Sequence, residues 1–136
     1  MEPKVHFQRI RDLVSIMLGI FFLVAGIGMV FGTYENFPAI HGDAGVFYRT
    51  VAGTYLFKWI GVFKLAAAFL MFNPRTRIFA PVFTFAYAVN ILLWNVLWAH
   101  EAMLLGIPIF MMHIFLLYCN YDYYKPILGT GFVLQR

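Results

Sequence analysis

The amino-acid sequence has 136 residues, of which 62% are hydrophobic and only 12% are charged, and its mean hydropathy is +0.78. Soluble domains are about 45–50% apolar and about 25% charged, and a chain this short has too small an interior to bury the excess. The composition therefore excludes an ordinary soluble domain and predicts an integral membrane protein in contact with the lipid bilayer. The net charge of +4 does not indicate a nucleic-acid partner, because the basic residues lie mostly at the ends of apolar segments.

Four long apolar segments predict membrane-spanning helices over about residues 13–31, 51–72, 78–98 and 102–119. Each is close to the ~20 residues that a helix needs to cross ~30 Å of hydrocarbon. None of the segments has the polar face that a helix in a soluble bundle presents to water. The predicted fold is all-α, a single membrane domain built as an antiparallel transmembrane four-helix bundle.

The connections between the segments differ in length. Short turns follow the second and third segments, which predicts that the helices they join are antiparallel neighbours. Residues 32–50 form a long external loop, and loops of this length are uncommon in compact domains unless they have a function. Because this loop contains Phe47 and Tyr48, we expect part of it to lie on the membrane surface or to fold back over the bundle.

Small residues recur at helical spacings in the first two segments. In lipid, small side chains let helix backbones approach closely, so these positions predict helix packing faces. Gly28 and Gly32 form a GxxxG pair near the end of the first segment. The predicted packing positions are Ser15, Gly19, Gly26, Gly28, Gly32, Gly61 and Ala68.

The distribution of positive charge predicts the orientation in the membrane. Seven Lys and Arg residues lie in the N-terminal segment, the turn after the second segment and the C-terminal tail, against Arg49 alone on the other side. Cytoplasmic segments are enriched in these residues, so both termini are expected in the cytoplasm, and a bacterial inner membrane is the expected location. The seven residues are Lys4, Arg9, Arg11, Arg75, Arg77, Lys125 and Arg136.

Lys58 and Lys64 are the only charged residues inside the second segment. A lysine near the centre of a spanning helix costs about 2.5–3.5 kcal/mol on insertion scales and usually faces the bundle interior or water. If the span is 51–72, both lysines lie within about 5 Å of the bilayer midplane, at about 1.5 Å per residue. No Asp or Glu occurs in any of the four predicted segments.

Matching the depths of polar residues predicts a mid-membrane layer of Lys64, Tyr87, Asn90 and His113. Such a layer could hold an anionic or carbonyl-bearing ligand, such as a quinone head group, through hydrogen bonds. Two alternatives stay open: Lys64 is neutral, or these residues make interhelical hydrogen bonds while the lysine stem extends toward water.

A secondary polar group is predicted closer to the outer surface. Lys58 is expected to extend its side chain outward, toward Asn95 and Glu101.

The sequence contains no complete catalytic or metal-binding signature. His113 is the only histidine within a predicted span, so one chain cannot supply both axial histidines of a haem held in a bundle. The external polar residues match no zinc-ligand spacing, so we expect no metal site, and a quinone is the only cofactor considered. These external residues are Glu35, His41, Asp43, His100 and Glu101.

Two stretches resemble the DoxX-like family of small four-helix membrane proteins. They are FFLVAGIGMVFG at 21–32 and YLFKWIGVFKLAAAFLMFNPRTRIFA at 55–80. Members of that family usually have a lysine near the end of the first motif and a glutamate in helix 2, where this sequence has Met29 and Lys64. The resemblance implies a membrane partner of quinol-linked redox machinery, without fixing a reaction.

Three functional hypotheses follow from these patterns. The first is a non-catalytic subunit or assembly factor of a membrane complex, expected to be a quinone-linked redox complex, whose partners are other membrane subunits or further copies of the chain. The second is a self-contained protein that binds or transports a quinone or lipid-like molecule at the mid-membrane polar layer. The third is a purely structural role, in which the polar layer only holds helices together.

Overall fold

The computed structural model describes residues 3–32 and 40–126, with side chains from residue 7 onward, and all the regular structure in these ranges is helical. Four of its helical segments are long and apolar enough to cross a membrane: Phe7–Phe31, Tyr55–Phe72, Ala80–Leu97 and His100–Cys119. This confirms an all-α fold with four candidate spans. The elements are α1 (Pro3–Phe31), α2 (Gly42–Ala52), α3 (Tyr55–Phe72), α4 (Ala80–Leu97), a 3₁₀ turn (His100–Ala102), α5 (Met103–Cys119) and α6 (Tyr121–Tyr124).

Helices α1 and α3 form the most extensive helix–helix interface of the molecule. A Cβ atom added at Gly26 would lie 2.9 Å from the Gly61 carbonyl oxygen, and one added at Gly61 would lie 2.9 Å from Met29 Cβ. Nearer the other end, the Ser15 hydroxyl donates to the Met71 carbonyl over 3.4 Å. The two helices are therefore antiparallel, and the small residues bring their backbones into contact.

Two further positions of the predicted packing stripe also lie at this interface. A Cβ at Gly19 would meet the Phe72 ring at 2.9 Å, and Ala68 is fully buried. Gly28 is buried within α1, but Gly32 follows the last helical residue with a φ of 76°. Because this left-handed conformation favours glycine, Gly32 ends the helix, and its pairing with Gly28 as a packing motif stays a prediction.

The long external connection contains a helix that the sequence analysis did not predict. Helix α2 ends at Ala52, and α3 begins at Tyr55, four residues later than the predicted start of the second span. The Phe47 ring of α2 contacts Trp94 with a centroid distance of 5.2 Å, and the Tyr48 ring lies edge-on to Phe57 at 5.7 Å. The connection therefore folds back over the ends of α3 and α4, while residues 33–39, including Glu35, lie outside the described ranges.

The opposite end of the bundle is held by polar contacts of the turn between α3 and α4. Asp12 of α1 pairs with Arg11 at 3.1 Å and with Arg77 of the turn at 3.0 Å. The Arg77 side chain also donates to the Met71 carbonyl, 3.0 Å away. The Tyr124 hydroxyl donates to the Ile78 carbonyl, and burial raises the pKa of Tyr124 to about 12, so this phenol stays a donor at neutral pH.

Helices α3 and α4 are consecutive along the chain, yet they contact each other far less than α1 contacts α3 or α4 contacts α5. Their clearest contact is the stacked pair Phe63 and Phe83, with centroids 4.6 Å apart. The short turn therefore does not make them closely packed neighbours, because each helix has its main interface with a different partner. Beyond this aromatic pair, toward α2, the two helices leave space between them.

Candidate ligand-binding cavity

A cavity of about 460 Å³ lies among the spanning helices beneath α2. This volume falls in the range of about 300–1,000 Å³ that is typical of small-molecule sites. Most of its lining is aliphatic or aromatic, as expected for a site within a membrane protein. Its walls include Leu56, Ile60 and Lys64 from α3, Tyr87, Asn90 and Trp94 from α4, and Phe47 and Tyr48 from α2.

Lys64 supplies an amine to this lining. It lies beside the midpoint of α3, and only 3% of its surface is exposed. Its Nζ lies 5.0 Å from the centroid of the Tyr87 ring, a cation–π geometry. Within residues 3–32 and 40–126, neither ion pair involves this lysine, because both are formed by Asp12.

Lys58 occupies a different environment from Lys64. Since α3 begins at Tyr55, Lys58 falls in the first turn, about 8 Å from the helix midpoint at about 1.5 Å per residue. Only Lys64 therefore lies near the midpoint of the helix, and the depth of both lysines in the membrane stays a prediction. Lys58 is exposed, its Nζ lies 5.8 Å from the Tyr55 ring, and it does not line the cavity.

His113 is separated from the cavity, although the sequence analysis placed it in the same layer as Lys64. It is fully buried, and its Nε2 lies 2.8 Å from the Thr84 hydroxyl, across the interface of α4 and α5. Its Nδ1 lies 2.8 Å from the Ile109 carbonyl. The Phe22 ring of α1 packs edge-on against His113 and tilted against Tyr87. It is therefore a shared aromatic neighbour of the two residues.

The hydrogen bonds of His113 define its chemical role. The Ile109 carbonyl can only accept, so Nδ1 carries a proton, and a neutral ring then accepts at Nε2. The Thr84 hydroxyl oxygen lies 2.8 Å from that nitrogen and 2.9 Å from the Ala80 carbonyl, so its single proton is shared between two acceptors. His113 is therefore a structural link between α4 and α5, and Thr84 is the partner that the sequence analysis missed.

The two asparagines of α4 differ in their surroundings. The Asn90 side chain lines the cavity, is exposed, and donates from Nδ2 to the Ala86 carbonyl over 2.9 Å. Asn95 also reaches the lining but is only 4% exposed, and its Nδ2 donates to the Ala102 carbonyl over 3.1 Å. Asn95 thus holds the turn between α4 and α5, whereas Asn90 has polar atoms available to a ligand.

Gly106 is a second residue that the sequence analysis missed. A Cβ atom at this position would lie 2.0 Å from the Asn95 amide nitrogen, so a larger residue would displace the Asn95 side chain. Gly106 belongs to no GxxxG motif or small-residue stripe. Its importance depends on the Asn95 side chain of another helix, which the local sequence does not show.

The external polar residues do not form a metal site in the part of the chain that is described. There, no group of three or more His, Cys, Asp and Glu side chains is close enough to hold an ion. Glu101 lies in the 3₁₀ turn, is exposed, and is not part of the cavity lining.

Comparisons with known proteins provide no relative for this chain. No family model matches the sequence, and no curated protein or solved structure matches it. Membership of the DoxX-like family therefore stays a prediction that is based on the two motifs, and the site must be interpreted from its own geometry.

Proposed function

We propose that this integral membrane protein binds a small amphiphilic molecule in the cavity beneath α2. The observation that carries the proposal is a cavity of about 460 Å³ with apolar walls and the buried amine of Lys64 in its lining. Ionisable residues inside a membrane are costly and often mark a ligand or ion pathway. A ligand with an apolar body and a head group that accepts hydrogen bonds fits these walls, and a quinone is one member of that class.

The two ends of the cavity support an assignment of head and body. Among the residues of α3 and α4 that line the cavity, Lys64 and Tyr87 are the ones farthest from α2. On the outer side, Phe47 and Tyr48 of α2 form part of the wall. The head group would therefore lie deepest, beside Lys64, and the apolar body would extend toward α2.

A cavity-filling substitution tests this proposal. Ile91 lines the cavity, so Ile91→Trp should remove the space for a ligand, whereas Val82→Trp, at an exposed position of α4, should not. The purified protein in detergent would be melted with decylubiquinone, oleate or oleyl alcohol. We expect a concentration-dependent rise in melting temperature for wild type and Val82→Trp but not for Ile91→Trp. Equal responses of the three proteins, or no response to any compound, would contradict the proposal.

The hypothesis of a subunit or assembly factor in a quinone-linked complex is a second proposal, which rests on the resemblance of residues 21–32 and 55–80 to the DoxX-like family. Two of the predicted packing positions, Gly26 and Gly61, pack against each other within the chain. Native purification followed by mass spectrometry tests the subunit role, and a protein recovered without any other subunit would contradict it.

The orientation in a bacterial inner membrane is proposed on the same charge asymmetry as before. Arg75 and Arg77 lie in the turn at the end of the bundle where Asp12 is paired, and Arg49 lies in α2 at the other end. In a Cys119→Ala background, a membrane-impermeant thiol reagent applied to intact cells should label Asp43→Cys and leave Arg75→Cys unlabelled. The reverse pattern would invert the topology.

A further inference from the structure

We infer that the ligand of this cavity carries one negative charge, in the form of a carboxylate on a single hydrocarbon chain, and that this carboxylate is the counter-ion of Lys64. The inference rests on the proposed function, to which it adds the charge and class of the ligand. A long-chain fatty acid is the simplest molecule with this chemistry.

The spanning helices contain no acidic residue at the depth of Lys64. Residues 13–31, 55–72, 80–97 and 102–119 contain no Asp or Glu, so no spanning helix can supply a carboxylate at the depth of Lys64. Asp12, at the inner end of α1, already pairs with Arg11 and Arg77. Within the described ranges, Lys64 has no acidic partner, and its closest compensating group is the Tyr87 ring.

The Tyr87 ring would compensate only part of the positive charge of a protonated Lys64. The face of a tyrosine ring attracts a cation weakly, whereas a buried ammonium group needs a partner that accepts hydrogen bonds and carries the opposite charge. Lys64 lies beside a cavity large enough for such a partner, with 3% of its surface exposed. A ligand carboxylate would meet both requirements, and Asn90 offers a neutral polar group on the same wall.

The lining of the cavity limits both the number of charges and the shape of the ligand. Among the described residues of the lining, Lys64 is the one that carries a positive charge, and Lys58 lies outside the cavity. A ligand with two negative charges would therefore leave one unpaired in an apolar site, which is unfavourable. The remaining wall is largely aliphatic and aromatic, from Ile60 and Ile91 to Trp94, and suits a hydrocarbon chain.

The test compares oleate with oleyl alcohol, which have the same chain length and differ in the charge of the head group. Binding would be measured by melting temperature and by native mass spectrometry for wild type, Lys64→Met and Lys58→Met. Methionine keeps the length of the lysine stem and removes the charge. We expect wild type and Lys58→Met to bind oleate at least tenfold more tightly than the alcohol, and Lys64→Met to lose this preference while it still binds the alcohol.

Each other outcome has a distinct meaning. Equal affinity of wild type for acid and alcohol, or unchanged oleate binding by Lys64→Met, would overturn the inference and leave the proposed function intact. If wild type binds none of the three compounds, oleate, oleyl alcohol and decylubiquinone, the proposed function itself is overturned. Preference for dioleoylphosphatidylglycerol over oleate would show that the anion is a lipid phosphate, which also overturns the carboxylate assignment. If Lys64→Met does not melt cooperatively, Lys64→Gln takes its place with the same expected loss.

Discussion

The two sides of α3 pack in opposite ways, although both lie within the same helix and both are largely apolar apart from Lys64. On the side that faces α1, Gly61 brings the backbones so close that an added Cβ would lie within 3.0 Å of three groups of α1. On the side that faces α4, Lys64 and Ile60 line a cavity of about 460 Å³. Hydrophobicity alone does not distinguish the two sides.

The difference shows how a small membrane protein can be stable and still contain a site. Helices in lipid associate through close packing, since lipid chains are as apolar as the side chains they would replace. The α1–α3 and α4–α5 interfaces are the two largest and α1 also contacts α5, so the helices are held together although α3 and α4 touch little. The space between α3 and α4 is where the proposed ligand would meet polar groups.

The largest expected effect is on the closed side of α3. Gly26→Leu places a bulky side chain against the Gly61 carbonyl and Leu65, each 2.9 Å from an added Cβ. We expect a loss of about 3 kcal/mol in the free energy of unfolding, at the upper end of the usual range for overpacking. The measurement is SDS-induced unfolding in mixed micelles.

Gly53→Leu is the matched control for this substitution. Gly53 lies at the end of α2, where the nearest atom to an added Cβ is 3.8 Å away, and its φ of −76° suits any residue. Equal destabilisation by both substitutions would show that the α1–α3 interface is not specially close.

A smaller effect is expected at the second tight interface. Gly106→Ala would bring a Cβ to 2.0 Å from the Asn95 amide nitrogen and break its bond to the Ala102 carbonyl. We expect a loss of about 2 kcal/mol, within the range for overpacked sites. Adding Asn95→Ala removes the obstructing side chain. The double variant should therefore lose less free energy of unfolding than the sum of the two single losses, by at least about 0.5 kcal/mol. Strict additivity would contradict the contact.

The hydrogen bond between α4 and α5 should contribute less. Thr84→Val removes the donor to His113 Nε2, and we expect a loss of about 1 kcal/mol, as for other interhelical hydrogen bonds in membranes. Thr50→Val is the control, because its hydroxyl bonds only to the Val46 carbonyl of its own helix. If Thr84→Val is no more destabilising than this control, His113 does not depend on Thr84.

The smallest change in stability is expected on the open side. Ile91→Trp adds a large ring to the cavity, where space is present, so the free energy of unfolding should change by less than about 1 kcal/mol. The measurement is again SDS-induced unfolding, with Val82→Trp as the reference. A loss as large as that of Gly26→Leu would mean that the cavity is closed in the folded protein, and the contrast between the two sides of α3 would disappear.

Several residues of the cavity could be predicted because they are polar or charged side chains within apolar segments. Lys64 is a cation in an apolar segment, and Tyr87 and Asn90 follow from matching its depth on the next helix. The same reasoning placed His113 with them, because depth gives a level in the membrane but not the direction in which a side chain points. The structure turns His113 toward Thr84.

Other features depend on contacts between distant residues and leave no local pattern. Gly106 leaves room for the Asn95 side chain eleven positions earlier, and the start of α3 depends on where α2 ends. The latter boundary moved Lys58 from the predicted midplane to the first turn of the helix.

The sequence by itself determined that this chain is helical and belongs in a membrane, because four apolar segments of spanning length can satisfy their backbone hydrogen bonds in lipid only as helices. It also identified glycines able to bring helices close. Only the tertiary structure decided which interfaces close and which stays open, since apolar helices in lipid have no preferred partner until their side-chain shapes are matched in three dimensions.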